Sequence, residues 1–318
     1  MVDDNNSLVQ SCEHRKDVQV RFGDGRVFCA PAGTRIEAFV RKAASPQSLP
    51  VVAAVVNGRL AELGEPLIAD VDVEPISLAM EDGMRIYQRS LVLLLQVAAR
   101  ELFQARVTID HSLTFGGLFC RVLNRDPFGE NEIAQIDTRM RQIVREDVPI
   151  TRETMRMEEA IDFFREQGDH AQVRLLMQSD RKEVTLHVLR GVKEYFFGGY
   201  LVPSAGYLKQ FVVRPYPPGF ALQYPQRLRP TALEPARLSP KLTAVFREYG
   251  QWLSLLGVSD AGALNEALAH GRSREIALVA EALHTQRIAE IASNVVARRG
   301  QVRLIAIAGP SSSQVMWL

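Results

Sequence analysis

The chain has 318 residues, of which 47% are apolar, enough for two or three cores of ordinary domain size. Lys and Arg number 38 against 37 Asp and Glu, and this net charge of +1 excludes a bulk electrostatic argument for nucleic acid or membrane while leaving a local patch open. Asp3 and Asp4, with no apolar core beside them, exclude a secretory signal, and the run Leu91 to Ala99 is broken by Gln96 and too short to span a bilayer. Cys12, Cys29 and Cys120 are odd in number and widely spaced, which fits neither a disulfide framework nor a Cys-only zinc site. The expectation is a soluble, cytoplasmic protein with no membrane partner.

Residues 1–16 are polar and are expected to be a disordered N-terminus. From Val18 the run VQVRF alternates apolar and polar, Gly23-Asp24-Gly25 makes a turn, and RVFCA returns, the pattern of a β-hairpin. Thr34 is placed to N-cap a helix over RIEAFVRKAA, whose Ile36, Phe39 and Val40 recur at helical spacing. The apolar run VVAAVVNG, the Leu-rich turn GRLAELGEPL and the strand VEPISLAM follow. Hairpin, helix and strands in that order predict a β-grasp, ubiquitin-like arrangement.

The segments VRFGDGRVFCAPAGTRIEAFV, VVNGRLAELGEPL and GMRIYQRSLVLLL together resemble the TGS domain found in threonyl-tRNA synthetases and some GTPases and nucleoside kinases. The resemblance implies a small binding or regulatory module over 17–80, often associated with RNA, and not a catalyst. Beyond it, a helix is predicted from Arg85 to about Phe103, then strands VTIDHSL and LFCRVL, then helices over Glu130–Val144 and Met157–Gln167. VRLLMQ and VTLHVLR alternate like strands. Residues 81–224 resemble the second additional domain of threonyl-tRNA synthetase, the fold that edits mischarged tRNA, with GGYLVPSAG at the place of its Val-Pro-Ser motif.

The editing chemistry implied by that resemblance needs two His four apart on the first helix, and Cys and His four apart before Val-Pro-Ser. Here those positions carry Arg89, Leu93, Phe197 and Leu201. None can serve the metal or shuttle a proton in the way the family requires, so no metal and no catalytic residue is expected and an aminoacyl-tRNA hydrolase is disfavoured. The six histidines show no i, i+4 pair. Asp110-His111-Ser112 cannot form a triad within one strand, because adjacent residues alternate faces. Tyr207, Lys209, Arg214, Tyr216, Tyr224, Arg227 and Arg229 interleave aromatics with cations. They form either a surface that stacks bases and meets phosphates or a Pro-rich segment pinned by aromatic packing.

Residues 225–300 are expected to be a linker and helical connector. Ser239-Pro240 opens a helix over KLTAVFREYGQWLSLLG, a short helix spans about Ala263 to Ala269, and a long one runs from about Arg274 to Arg298. Its apolar stripe, with Ile276, Val279, Leu283, Ile288, Ile291 and Val295, reads as core or interface. Residues 301–318 begin with an apolar strand, Val302 to Ala308, and a Gly-Pro-Ser loop. Gly309 permits the sharp turn and Ser311, Ser312 and Ser313 follow, an incomplete phosphate-binding loop. Gln314, Val315 and Met316 stand where that motif needs Gly, Lys and Ser or Thr.

Domain order, together with VFREYGQWLSLLGV, VAEALHTQRIAEIA and LIAIAGPSSS, resembles the TGS-containing uridine kinase-like nucleoside kinases of bacteria. The fold class expected is therefore α+β multidomain: a β-grasp TGS domain, an editing-like α+β domain, a helical connector and the first strand of a truncated P-loop domain. The function implied is the non-catalytic N-terminal portion of an ATP-dependent nucleoside kinase, inactive alone. ATP and Mg²⁺ are cofactors of that family, none being expected in this chain. The alternative is a stand-alone RNA- or tRNA-binding module, with structured RNA or a small ligand as partner. Self-association through the orphan C-terminal strand is also expected.

Overall fold

In the computed structural model, residues 16–45, 49–237, 239–301 and 304–305 are described. The protein is an α+β chain of two compact units, the first comprising Met1–Met157 and Lys182–Ser239, the second Glu158–Arg181 and Pro240–Leu318.

The first unit opens with a mixed five-stranded sheet. Strand β1 (Asp17–Phe22) buries Val18, Val20 and Phe22 and exposes the residues between, as its alternation dictates, and pairs antiparallel with β2 (Val27–Pro31). Helix α1 (Ile36–Ala43) lays Ile36, Phe39, Val40 and Ala43 on the sheet. Its N-cap is Arg35 without a side-chain cap, because the Thr34 hydroxyl donates back to the Pro31 carbonyl at 2.7 Å. Strands β3 (Val51–Val56), β4 (Arg59–Ala61) and β5 (Val71–Ser77) complete the order β2-β1-β5-β3-β4, with β5 parallel to β1.

Helix α2 (Glu81–Phe103) begins four residues before the predicted start. Its first turn abuts the end of β5 so closely that a Cβ on Gly83 would lie 2.1 Å from the Ser77 carbonyl oxygen. Leu91, Leu93, Leu94 and Leu95 are fully buried at the centre of the largest core. Strands β6 (Arg106–Leu113) and β7 (Gly117–Leu123) form an antiparallel hairpin, and helix α3 (Glu130–Arg145) contributes Ile133, Ile136, Met140 and Ile143 to the same core. Strand β8 (Thr151–Arg156) joins β9 (Glu183–Leu189) and β10 (Val192–Glu194) in an antiparallel sheet ordered β10-β9-β8. Strands β11 (Val212–Tyr216) and β12 (Gly219–Gln223) extend the hairpin into a sheet ordered β11-β12-β7-β6.

The second unit is helical: α4 (Met157–Glu166), α5 (His170–Met177), α6 (Pro240–Leu256), α7 (Ala261–Ala269) and α8 (Ser273–Ala297). The VRLLMQ segment, predicted as a strand, is the body of α5. Asp169 caps it by accepting from the Gln172 amide at 3.1 Å, and Val173 and Leu176 are buried at a spacing of three. In so short a run the same apolar pattern satisfies either period, and the cap decides it. Helix α8 has no buried residue, so its stripe is not core among the described residues.

Helix α7 meets α5 at Gly262, where a Cβ would stand 2.7 Å from the Arg174 Cβ and 2.8 Å from the Leu175 amide nitrogen. Both neighbours are fixed by α5, so Gly262→Ala is expected to cost about 1–3 kcal/mol of overpacking. A thermal melt of the variant checks this, and an unchanged midpoint would show that the helices separate freely.

Among the described residues, no helix is long and apolar enough to cross a membrane. The predicted strand Val302–Ala308 and the loop with Gly309, Ser311, Ser312 and Ser313 lie outside the described residues, apart from Leu304 and Ile305, which are exposed.

Candidate functional site

The resemblance aligns the residues of an editing centre with Arg89 and Leu93 on α2 and with Phe197 and Leu201 in the segment after β10. Leu93 is 0% and Leu201 1% exposed, both inside the main core, whereas Phe197 stands 71% exposed. Arg89 is half-buried, with its Cδ 3.3 Å from where a Cβ on Gly199 would be. Leu93 and Leu201 are taken up in core packing, and these four side chains present no neutral nitrogen, thiolate or carboxylate to a metal. Among the described residues, no group of three His, Cys, Asp or Glu could hold a metal ion.

Beside Leu201 lies a buried polar cluster. Glu62, directly after β4, is 8% exposed. Its Oε1 accepts the Leu201 amide at 2.8 Å and meets His187 Nε2, on β9, at 3.0 Å. Arg152 on β8 places Nη1 3.7 Å from the other Glu62 oxygen and 3.4 Å from Glu65. Arg152, His187 and Glu194 are direct cross-strand neighbours and so share one sheet face. His187 is buried, its ring 6.1 Å from that of Phe196, and its Nδ1 has no hydrogen-bond partner. An ionised Glu62 can only accept, which makes Nε2 the donor of this contact. No nucleophile is bonded to it among the described residues, so the pair acts here as a tether between sheets.

The Val202-Pro203-Ser204 segment is anchored along its length. The Val202 amide donates to Ser90 Oγ at 3.0 Å, Pro203 accepts from the Ile150 amide at 2.9 Å, and the Ala205 amide donates to the Val148 carbonyl at 2.8 Å. Asp147, in a left-handed conformation at φ 48°, accepts from the Ser204 hydroxyl and from the Gly206 amide at 2.9 Å. A Cβ on Gly206 would fall 2.1 Å from Asp147 Oδ1, so only glycine allows the carboxylate this close. Tyr207 donates its hydroxyl to Glu37 of α1 at 2.5 Å, and burial followed by that carboxylate pushes its pKa up.

The seven interleaved aromatics and cations are not brought together as a stacking surface. Tyr216 is buried with Leu113, Phe115, Phe119 and Ala221, and Tyr224 lies in the main core, where burial pushes its pKa up to about 12. Tyr207 is half-buried on Glu37, and Arg214 is half-buried on β11. Lys209, Arg227 and Arg229 are exposed, and Arg229 pairs with Glu234 at 2.9 Å. The aromatics pack inward, Arg214 is partly buried with them, and Lys209, Arg227 and Arg229 point out, which is the packing alternative.

His111 packs on Phe119 with ring centroids 5.0 Å apart, while Asp110 is engaged by Arg121 at 3.2 Å. Cys120 is buried, and burial pushes its thiol up to about 12, too high for a thiolate nucleophile. Sequence reading missed Glu62, His187 and Asp147 as a set. The one local sign was a glutamate inside the apolar turn GRLAELG, since a buried carboxylate needs partners.

The fold and this region define an α+β multidomain chain whose Val-Pro-Ser segment is anchored by hydrogen bonds along its length. No protein-family model matches it. The chain is similar to threonine–tRNA ligases. That of Aromatoleum aromaticum is 29% identical over 196 residues, which is 61% of this chain and 30% of the relative. That of Marinobacter nauticus is 31% identical over 161 residues, 50% of this chain and 25% of the relative. That of Desulforamulus reducens is 25% identical over 193 residues, 60% of this chain and 30% of the relative. The alignments thus span between a quarter and a third of each relative.

These relatives overturn the expectation of a uridine kinase-like nucleoside kinase portion with an ATP-binding P-loop. That expectation leaned on Gly309, Ser311, Ser312 and Ser313, and an apolar strand followed by a Gly-Pro-Ser turn is a feature of many sheets. Gln314, Val315 and Met316 bring neither the cation nor the hydroxyl that holds a triphosphate and Mg²⁺.

Proposed function

We propose that this chain is an RNA-binding module that engages tRNA or a similarly structured RNA without hydrolysing an ester on it. The carrying observation is its similarity to threonine–tRNA ligases over half or more of its length. In this reading, 17–80 is a β-grasp TGS-like domain, 81–224 an editing-like domain and 225–300 a helical connector, in a cytoplasmic protein. The mixed sheet with α1 packed on it supports the first assignment, and the anchored Val-Pro-Ser segment supports the second. Leu93 and Leu201 have replaced side chains that could take part in deacylation with apolar packing, which favours binding over turnover.

Phosphate contact falls to the outward cations Lys209 and Arg227, whose charges are not answered by an ion pair among the described residues. Since the chain is nearly neutral overall, binding rests on such local contacts and weakens on the order of tenfold as salt rises from about 50 to about 200 mM. Fluorescence anisotropy with labelled tRNA tests this. Lys209→Glu with Arg227→Glu is expected to weaken binding and flatten the salt dependence. Absence of binding at the lower salt, or binding indifferent to both substitutions, would sink the proposal. In parallel, release of amino acid from charged tRNA would show that hydrolysis survives.

A further inference from the structure

Helices α6 and α8 of the second unit form an antiparallel pair with one apolar side left open. Glu248 meets Arg287 at 3.3 Å and Leu256 packs with Ile276, which fixes the direction and the facing sides of both helices. On α6, Leu242, Phe246, Tyr249 and Leu253 recur at steps of four, three and four residues. On α8, His284, Ile288, Ile291 and Val295 repeat those steps. Starting from the contacts between the helices, right-handed winding carries both stripes to the same side of the pair. The spacing is that of a coiled-coil seam on each helix, and none of these residues is Lys, Arg, Asp or Glu. Tyr249, Leu253, Ile288 and Ile291 are exposed, and no residue of α8 is buried. Such a pair is half of a four-helix bundle.

The face complements itself. Laid antiparallel on its own copy about a two-fold axis at the level of Tyr249 and His284, it sets Leu253 over Val245. The same operation sets Ile288 and Ile291 over Ala280 and Ala277, large side chains on small ones. Gly250 gives a second indication. Glycine weakens a helix interior relative to alanine, yet a Cβ at Gly250 would meet nothing within 4 Å inside the chain. Next to Tyr249 at the two-fold, it lets another backbone approach closely. The size is also adequate. The 17 and 25 residues of α6 and α8 run about 25 and 37 Å, and at about 10 Å per helix they offer roughly 600 Å². Two copies would bury about 1,200 Å² in all, the lower edge of specific interfaces.

We propose that α6 and α8 form a two-fold interface with a second copy of this chain, closing a four-helix bundle. This pairing is independent of RNA binding and does not involve the segment after α8.

The test is sedimentation velocity on the full chain from about 1 to about 100 µM, the range suited to an interface of this size. A shift from the monomer to twice its mass is expected within that range. Leu253→Glu and Ile288→Glu should each weaken association about a hundredfold, because each places a charge in the apolar seam. Leu278→Glu, on the side of α8 turned away from α6, should leave it unchanged. Should a glutamate variant misfold, oxidative cross-linking decides. In a chain carrying Cys12→Ser and Cys29→Ser, His284→Cys lies at the two-fold and should give a covalent dimer, whereas Leu278→Cys should not. A monomer at every concentration, or association indifferent to Leu253→Glu and Ile288→Glu, would overturn the assignment. Cross-linking through Leu278→Cys and not through His284→Cys would do the same.

Discussion

Glu62→Ala is expected to destabilise the first unit by about 3–5 kcal/mol, the cost of breaking a buried polar cluster by removing its shared acceptor. The Leu201 amide and His187 both meet Glu62 Oε1, at 2.8 and 3.0 Å, and neither has solvent to turn to. Each orphaned donor costs about 1–3 kcal/mol. Arg152 keeps Glu65 at 3.4 Å and adds little to the loss. Glu62→Gln retains an acceptor oxygen, so it should lose about half as much. Urea denaturation followed by circular dichroism measures the difference, and hydrogen exchange at Leu201 localises it. A loss below about 1 kcal/mol with Leu201 still protected would mean that water replaces the carboxylate.

Gln96→Leu should rank next, at about 2–4 kcal/mol, although it replaces a polar side chain in the main core by an apolar one of similar size. The Gln96 amide on α2 donates from Nε2 to the Val107 carbonyl at 2.6 Å and accepts the Val107 amide at Oε1 at 3.1 Å. β6 is the edge of its sheet, and Gln96 takes both backbone groups that Val107 turns away from β7. Leucine would leave both groups buried and unpaired, the situation that closed sheets and covered edges avoid. Gln96→Glu should be worse, because it removes the donor and buries a charge. Denaturation midpoints of the two variants check the order. A leucine variant as stable as the parent would show that β6 does not depend on this contact.

Much of the local structure followed from residue order alone. Strict alternation in VQVRF determined β1, since a period of two has one solution when one face is buried. Ile36, Phe39 and Val40 determined the inner face of α1, and Ser239-Pro240 the start of α6. VRLLMQ failed because its apolar spacing suits either period, and the Asp169 cap outside the run settled it. Gln96 read only as a break in an apolar run, because its partner is a backbone group on another element. The aromatics from Tyr207 to Tyr224 could not be assigned to surface or core by type, since Tyr is at home in both.

The sequence by itself determined most of the elements, the absence of His and Cys from positions 89, 93, 197 and 201, and the resemblance to threonyl-tRNA synthetase domains. Only the tertiary structure decided that Leu93 and Leu201 lie in the main core, and that Glu62 joins His187 and Leu201 across separations of 125 and 139 residues. The reason is physical: periodicity records which face of an element is buried, whereas a hydrogen bond between elements depends on how those faces meet in space.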